Sequence, residues 1–215
     1  MLASGKLSFP DWFQDQFNFA KARGLDVASI AAQDDFVSDL QSHLLASVAP
    51  VTTYDGGVFQ VGPGPGAIWP LNTQSGVANL RTSKFLIASW ARVVVADDRC
   101  VAVGLVTPGG VDPLAYVGFN AGEDGTHFVG VLDDTGTVTS VVGPAVDDNW
   151  HRWIVLSDAV NYHFLIDGNE IGTLPVANAP NVSGQLAVMA PVGTSLDELL
   201  VDKYMLAAGK PTGTL

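Results

Sequence analysis

The chain has 215 residues, 47% of them hydrophobic and 15% charged, which excludes intrinsic disorder, and no uncharged apolar stretch approaches the roughly 20 residues of a membrane-spanning helix. Ten Lys and Arg against 22 Asp and Glu give a net charge of −12. The basic residues stand singly along the sequence, so neither a nucleic-acid partner nor an anionic membrane surface is expected.

Residues 1–10 carry one Lys and no apolar core, so no secretion signal is expected. The lone cysteine, Cys100, allows no intrachain disulfide and no multi-cysteine zinc site. It lies between Asp97–Asp98–Arg99 and Val101–Ala102–Val103, and reads as a small residue at a strand start.

Residues 1–50 differ in texture from the rest, with only Gly5 and Gly24 of the 23 glycines. Pro10 and Asp11 suit a first helical turn, and Gly24 after Lys21 and Arg23 suits a helix end. A helix is therefore predicted over 11–23. A second is predicted up to Pro50, since Val37, Leu40, Leu44 and Val48 recur at three- and four-residue spacing. The first helix is unusually aromatic, with Trp12, Phe13, Phe17 and Phe19. Either these rings pack against the rest of the protein, or they form an assembly interface, because large exposed apolar patches mark contact surfaces. The second reading predicts a homo-oligomer, a trimer as the first guess, held partly by residues 9–48.

From residue 51 the pattern is one of short strands and turns. Phe85, Ile87, Ala91, Val93 and Val95 share one face, with Ser89 as its polar exception and Trp90 and Arg92 on the other. Further strands are predicted at 100–107, 114–120, 127–132, 137–142, 150–156, 162–166, 170–174, 185–190 and 196–206. Turn signals at Pro108–Gly109–Gly110, Asp134–Thr135–Gly136 and Asp167–Gly168–Asn169 separate some of them. About ten strands without crossover helices predict an antiparallel sandwich, mainly β, over 51–215, with 1–50 as a short helical arm.

The run Asn149-Trp150-His151-Arg152-Trp153-Ile154-Val155-Leu156, followed by Tyr162-His163-Phe164-Leu165-Ile166-Asp167-Gly168-Asn169, resembles the concanavalin A-like, laminin G-like jelly rolls. There a Trp-His strand precedes a hairpin with an Asp-Gly turn, and Ser195–Asp202 resembles the final strand. The resemblance covers about residues 51–207. It implies a jelly-roll sandwich, a core position for Trp150, and a fold that hosts lectins, glycosidases, adhesion modules and virion proteins.

A glycosidase on this fold needs paired carboxylates flanking the scissile bond. The three glutamates, Glu123, Glu170 and Glu198, do not form the Glu-x-Asp-x-Glu strand of bacterial glucanases, and Asp197 and Glu198 are adjacent and so point to opposite faces. No catalytic residues and no enzyme activity are expected. The paired acids Asp97–Asp98, Glu123–Asp124, Asp133–Asp134 and Asp147–Asp148 read as solvated turns. Calcium sites of the superfamily use such loops, which leaves a calcium site as the weaker alternative, but no loop gathers a regular donor set, so the expectation is no cofactor. His43, His127, His151 and His163 fall on different elements and read as surface or half-buried residues without a carboxylate partner.

Sugar binding uses exposed aromatics and planar polar groups. The glycan-contact candidates are Trp69, Trp90, Arg92, Asn120, Asp124 and Trp153, with core packing the competing role for each Trp. Three functions follow, in order. The first is a non-enzymatic virion structural protein, a phage decoration or fibre protein assembled in the host cytoplasm and displaying a lectin-like jelly roll. Its partners would be itself, capsid or tail proteins and cell-surface glycans. The second is a glycan-binding lectin module, and the third a glycan-active hydrolase or lyase. The virion reading rests on elimination, chiefly the absence of a secretion signal.

Overall fold

The computed structural model describes residues 9–25, 27–34, 52–55, 58–61, 67–70, 78–94, 102–107, 115–120, 127–134, 137–147, 149–190 and 198–209. Helix α1 (Phe9–Ala22) comes first. Strands β1 (Val27–Asp34), β2 (Thr52–Asp55), β3 (Val58–Val61), β4 (Ala67–Pro70) and β5 (Ala78–Asn79) follow. Then come β6 (Phe85–Val94), β7 (Ala102–Val106), β8 (Ala115–Asn120), β9 (His127–Asp134) and β10 (Thr137–Ala145). The last are β11 (Trp150–Ser157), β12 (Asn161–Ile166), β13 (Asn169–Pro175), β14 (Ser183–Ala190) and β15 (Glu198–Gly209). Among the described residues, no helix is long and apolar enough to cross a membrane.

The strands form two antiparallel sheets. The first has eight strands in the order β13-β12-β11-β6-β15-β3-β2, with β1 also on β15. The second has seven in the order β10-β9-β8-β7-β14-β4, with β5 on β14. Strand alternation puts Phe85, Ile87, Trp153, Val155, Tyr162, Phe164, Tyr204 and Leu206 of the first sheet into one core with Leu105, Val117, Phe119, Phe128 and Leu132 of the second. The β12–β13 hairpin turns on Asp167 (φ 52°) and Gly168 (φ 85°), the pair of positive values that a two-residue turn matched to strand twist requires.

The other face of the first sheet is also apolar. Leu86, Ala88, Ile154, Leu156, Leu165, Met205 and Ala207 form a second cluster with Ala20 and Leu25, and Phe19 packs against it. The turn that ends α1 delivers Leu25 to this cluster: Gly24 (φ 78°) donates its N–H to the Lys21 carbonyl and Leu25 to that of Ala20, each at 3.0 Å, a Schellman motif. Two ion pairs fasten the helix to the sheet, Arg152 to Asp15 at 2.9 Å and Arg23 to Glu170 at 3.2 Å. Phe19 lies beside both guanidinium groups, 4.7 Å from that of Arg23 and 5.7 Å from that of Arg152.

The ten strands predicted from residue 85 onward are present as β6–β15, and α1 matches the first predicted helix. Within the expected helical arm 1–50 the structure also places β1, paired with the second half of β15 from Val27↔Gly209 to Asp34↔Tyr204. Helix α1 and its terminal turn therefore pack on the sandwich, and β1 hydrogen-bonds to it. The predicted helix at 37–48 and Cys100 lie outside the described residues.

Candidate functional site

Antiparallel register builds a cluster that sequence separation conceals. On the face of the first sheet turned away from the core, Trp150 stands opposite Arg92 across β11 and β6, and Arg152 opposite Trp90. On the other flank of β6, Lys203 is the register partner of Trp90. Two arginines thus meet around two tryptophans, although each stands alone in the sequence. The indoles of Trp90 and Trp150 are stacked, with centroids 6.4 Å apart and planes 15° from parallel. Trp90 is 9% exposed and Trp150 half-buried.

The two arginines differ in what they meet. Arg152 pairs with Asp15 of α1. Arg92 is half-buried, and its buried Nε–H meets no acceptor. An unmade hydrogen bond of a charged group is costly in such a setting. The face therefore presents the half-buried indole of Trp150 beside a planar cation whose Nε–H is unsatisfied.

Of the six glycan-contact candidates, the structure brings Trp90 and Arg92 together on one face of β6. Trp153 belongs to the core instead: it is 1% exposed, with its ring 5.6 Å from those of Phe119 and Phe128. Trp150 takes the opposite correction, since its place is the outer face and not the core. The two residues are three apart on one strand, so alternation sends them to opposite faces. Trp69 on β4 and Asn120 on β8 belong to the second sheet, separated by β7 and β14, and Asp124 lies outside the described residues. Of the assembly-interface candidates, Phe19 is engaged within the chain as described above. Trp12, Phe13 and Phe17 lie on α1, with side chains outside the described part.

Two of the histidines expected without carboxylate partners, His151 and His163, have two each. His151 Nδ1 lies 2.7 Å from Asp167 and its Nε2 2.7 Å from Asp147. His163 is 3.3 Å from Glu170 and 3.4 Å from Asp158. The hydrogen bond to Asp167 is the main cause that pushes the His151 pKa up to about 8, helped by Asp147 and opposed by burial. Burial alone would raise Asp147 and Asp167. The hydrogen bonds from His151, with those from Asn149 and the Arg152 backbone respectively, outweigh it and hold both carboxyls below their ordinary value. Such carboxylates are ionised at neutral pH and are poor proton donors to a glycosidic oxygen. Because the two sit on opposite nitrogens of one ring, they do not converge on a common point. Among the described residues, no group of three or more His, Cys, Asp or Glu is placed to hold a metal ion.

No protein-family model matches the chain, and no curated protein matches it by sequence. Solved structures do match. The carbohydrate recognition domain of Emp47p superposes with a TM-score of 0.61 at 13% identity, covering 86% of this chain and 97% of that one. The Crh5 transglycosylase in complex with NAG gives 0.61 at 14% identity, covering 86% of each chain. The binding domain of botulinum neurotoxin serotype G gives 0.58 at 9% identity over 86% of this chain, which spans about half (49%) of that domain. With this topology, the chain has the concanavalin A-like antiparallel jelly-roll fold.

Proposed function

We propose that this chain is a non-catalytic glycan-binding module, with its contact surface on the outer face of the first sheet at Trp90 and Trp150. The observation that carries the reading is the stacked indole pair bordered by arginines, since the apolar face of a pyranose packs on an aromatic ring. The likeness to the Emp47p carbohydrate recognition domain and to a transglycosylase bound to NAG supports it. The ionised state of Asp147 and Asp167 supports a binding role over a hydrolytic one. A glycan array probed with the full chain tests the proposal. Binding that falls by about tenfold or more in Trp150→Ala, at unchanged melting temperature, is the expected result. Release of reducing sugar from any bound glycan would overturn the non-catalytic part.

A second reading adds a location: the module is displayed on a virion as a decoration or fibre protein, anchored through α1 and self-associated. The aromatic content of that helix, Trp12, Phe13 and Phe17 beside the docked Phe19, supports it. Light scattering on the full chain and on Trp12→Ala/Phe17→Ala tests the self-association. A larger mass for the former is expected, and equal monomeric masses would remove it.

A further inference from the structure

Resting on the glycan-binding reading, we propose that the Trp150–Arg92 surface selects an acidic sugar, one whose ring carries a carboxylate. The first argument is charge. The protein is strongly acidic, with a net charge of −12, yet β11, β6 and β15 bring Arg152, Arg92 and Lys203 to adjacent register positions. Like charges in neighbouring positions of a sheet repel, so a cluster of cations on one face gains most from an anionic ligand.

The acids at the same place leave one cation unmatched. Asp15 on α1 neutralises Arg152. Glu198 is the register partner of Val94, two residues beyond Arg92, yet among the described residues Arg92 forms no ion pair and its Nε–H has no acceptor. A neutral saccharide stacked on Trp150 would offer that cation hydroxyl acceptors but no counter-charge. A carboxylate would supply a charge-assisted, fork-shaped contact to the guanidinium, which is stronger than a neutral hydrogen bond and specific for planar anions.

Reach is the second argument. Arg92 and Trp150 are directly opposed across an antiparallel pair, which sets their Cβ atoms about 5 Å apart. A ring lying on the indole therefore holds its own substituents within range of the guanidinium. The two contacts address two parts of one monosaccharide. Stacking holds the ring, and the cation reads the acid.

The test is titration of the full chain with sialyllactose, lactose and a sulfated lactose at low and physiological salt, using wild type, Arg92→Gln and Arg92→Lys. The expected result is a preference of about tenfold or more for sialyllactose over lactose. It should weaken with salt, vanish in Arg92→Gln and survive only in part in Arg92→Lys, because the ammonium keeps the charge and loses the fork. Equal binding of sialyllactose and lactose, unchanged in Arg92→Gln, would sink the selectivity and leave the glycan-binding reading standing. A preference for the sulfated sugar would also overturn the assignment to a carboxylate. If the folded protein binds no saccharide on the array, with Trp150→Ala indistinguishable from wild type, both readings fail together.

Discussion

Asp167 holds His151 and the strand beside it with two different oxygens. Its Oδ2 lies 2.7 Å from His151 Nδ1, while its Oδ1 accepts the backbone N–H of Arg152 at 2.9 Å. The residue therefore ties the β12–β13 turn to β11 at the point from which Arg152 reaches α1. With Asp147 on the opposite nitrogen, the imidazole is held as a doubly donating cation.

This arrangement predicts a pH dependence with a definite sign. The His151 pKa rises on folding from 6.5 to about 8, so its contribution to stability is complete below about pH 6.5 and is lost as the pH climbs through 8. The contribution is about 1–2 kcal/mol, since the ring is mostly buried and its partners are half exposed. Urea denaturation of wild type and His151→Asn should therefore show a gap at pH 6 that closes by pH 9. A gap that widens with pH would contradict the assignment.

Two glycines separate backbone strain from crowding. Gly24 (φ 78°) has open space where a Cβ would go, whereas at Gly168 (φ 85°) that atom would come within 3.0 Å of the Arg152 guanidinium. Gly24→Ala should cost about 1–2 kcal/mol from the left-handed backbone alone. Gly168→Ala should cost more and also loosen the Arg152–Asp15 pair. Thermal melts of both variants, each combined with Asp15→Asn, measure the coupling. Strict additivity at Gly168 would show that Arg152 moves aside freely.

Ser89 is the polar exception on the inner face of β6, 1% exposed. Its hydroxyl and the indole N–H of its cross-strand partner Trp153 are both buried without a hydrogen-bond partner. Removing an unsatisfied hydroxyl takes away a desolvation cost of about 1–3 kcal/mol and little favourable contact. Ser89→Ala is expected to leave stability unchanged or raise it. A loss above about 1 kcal/mol in chemical denaturation would mean that the hydroxyl has a partner, such as a bound water.

Leu25 tests whether the N-terminal segment belongs to the sandwich. It is 3% exposed within the cluster under α1, and Leu25→Ala should cost about 2–5 kcal/mol. Removal of residues 1–34 uncovers Leu86, Ile154, Leu165 and Met205 and leaves part of the β15 edge unpaired. Increased binding of a hydrophobic dye and loss of a cooperative transition are expected. A truncated chain as stable as the full one would return residues 1–34 to the role of a detachable arm.

The sandwich from Phe85 onward was legible because its strands alternate and its turns carry Gly, Asp and Asn. The β12–β13 turn was legible to the residue, since Asp167–Gly168 leaves few other conformations. Strand β1 was not: Ala28, Ala31 and Ala32 fit a helix as readily as a strand, and its partner β15 lies at the other end of the sequence. The covering of the first sheet by α1 did leave a signal. Trp153, Ile154, Val155 and Leu156 are apolar without alternation, the mark of a strand covered on both faces. Read with strict alternation, that run would also have separated Trp150 from Trp153. Half of the Trp–Arg face left a local signal, since Trp90 and Arg92 share one face of β6 two residues apart, but its meeting with Trp150 and Arg152 left none, because it arises only from the pairing of β6 with β11. The carboxylate partners of His151 were masked differently, since Asp147 and Asp167 each sit in what reads as an ordinary solvated turn.

The position of β15 has a consequence for how the protein is made. It joins β6 on one side to β3 and β1 on the other, so the first sheet stays in three pieces until residues 198–209 have been synthesised. Until then β1 and β3 lack their shared partner, and the long edge of β6 that β15 will cover has no strand on it. Pairings as distant as Val27 with Gly209 also make closure slow, because a large loop must be ordered before the contacts form. The nascent chain thus spends its elongation with open strand edges, a state prone to wrong association. Ribosome-bound chains ending before residue 198 should be protease-sensitive throughout β1, β3 and β6, and chains long enough to expose β15 should become resistant in a single step.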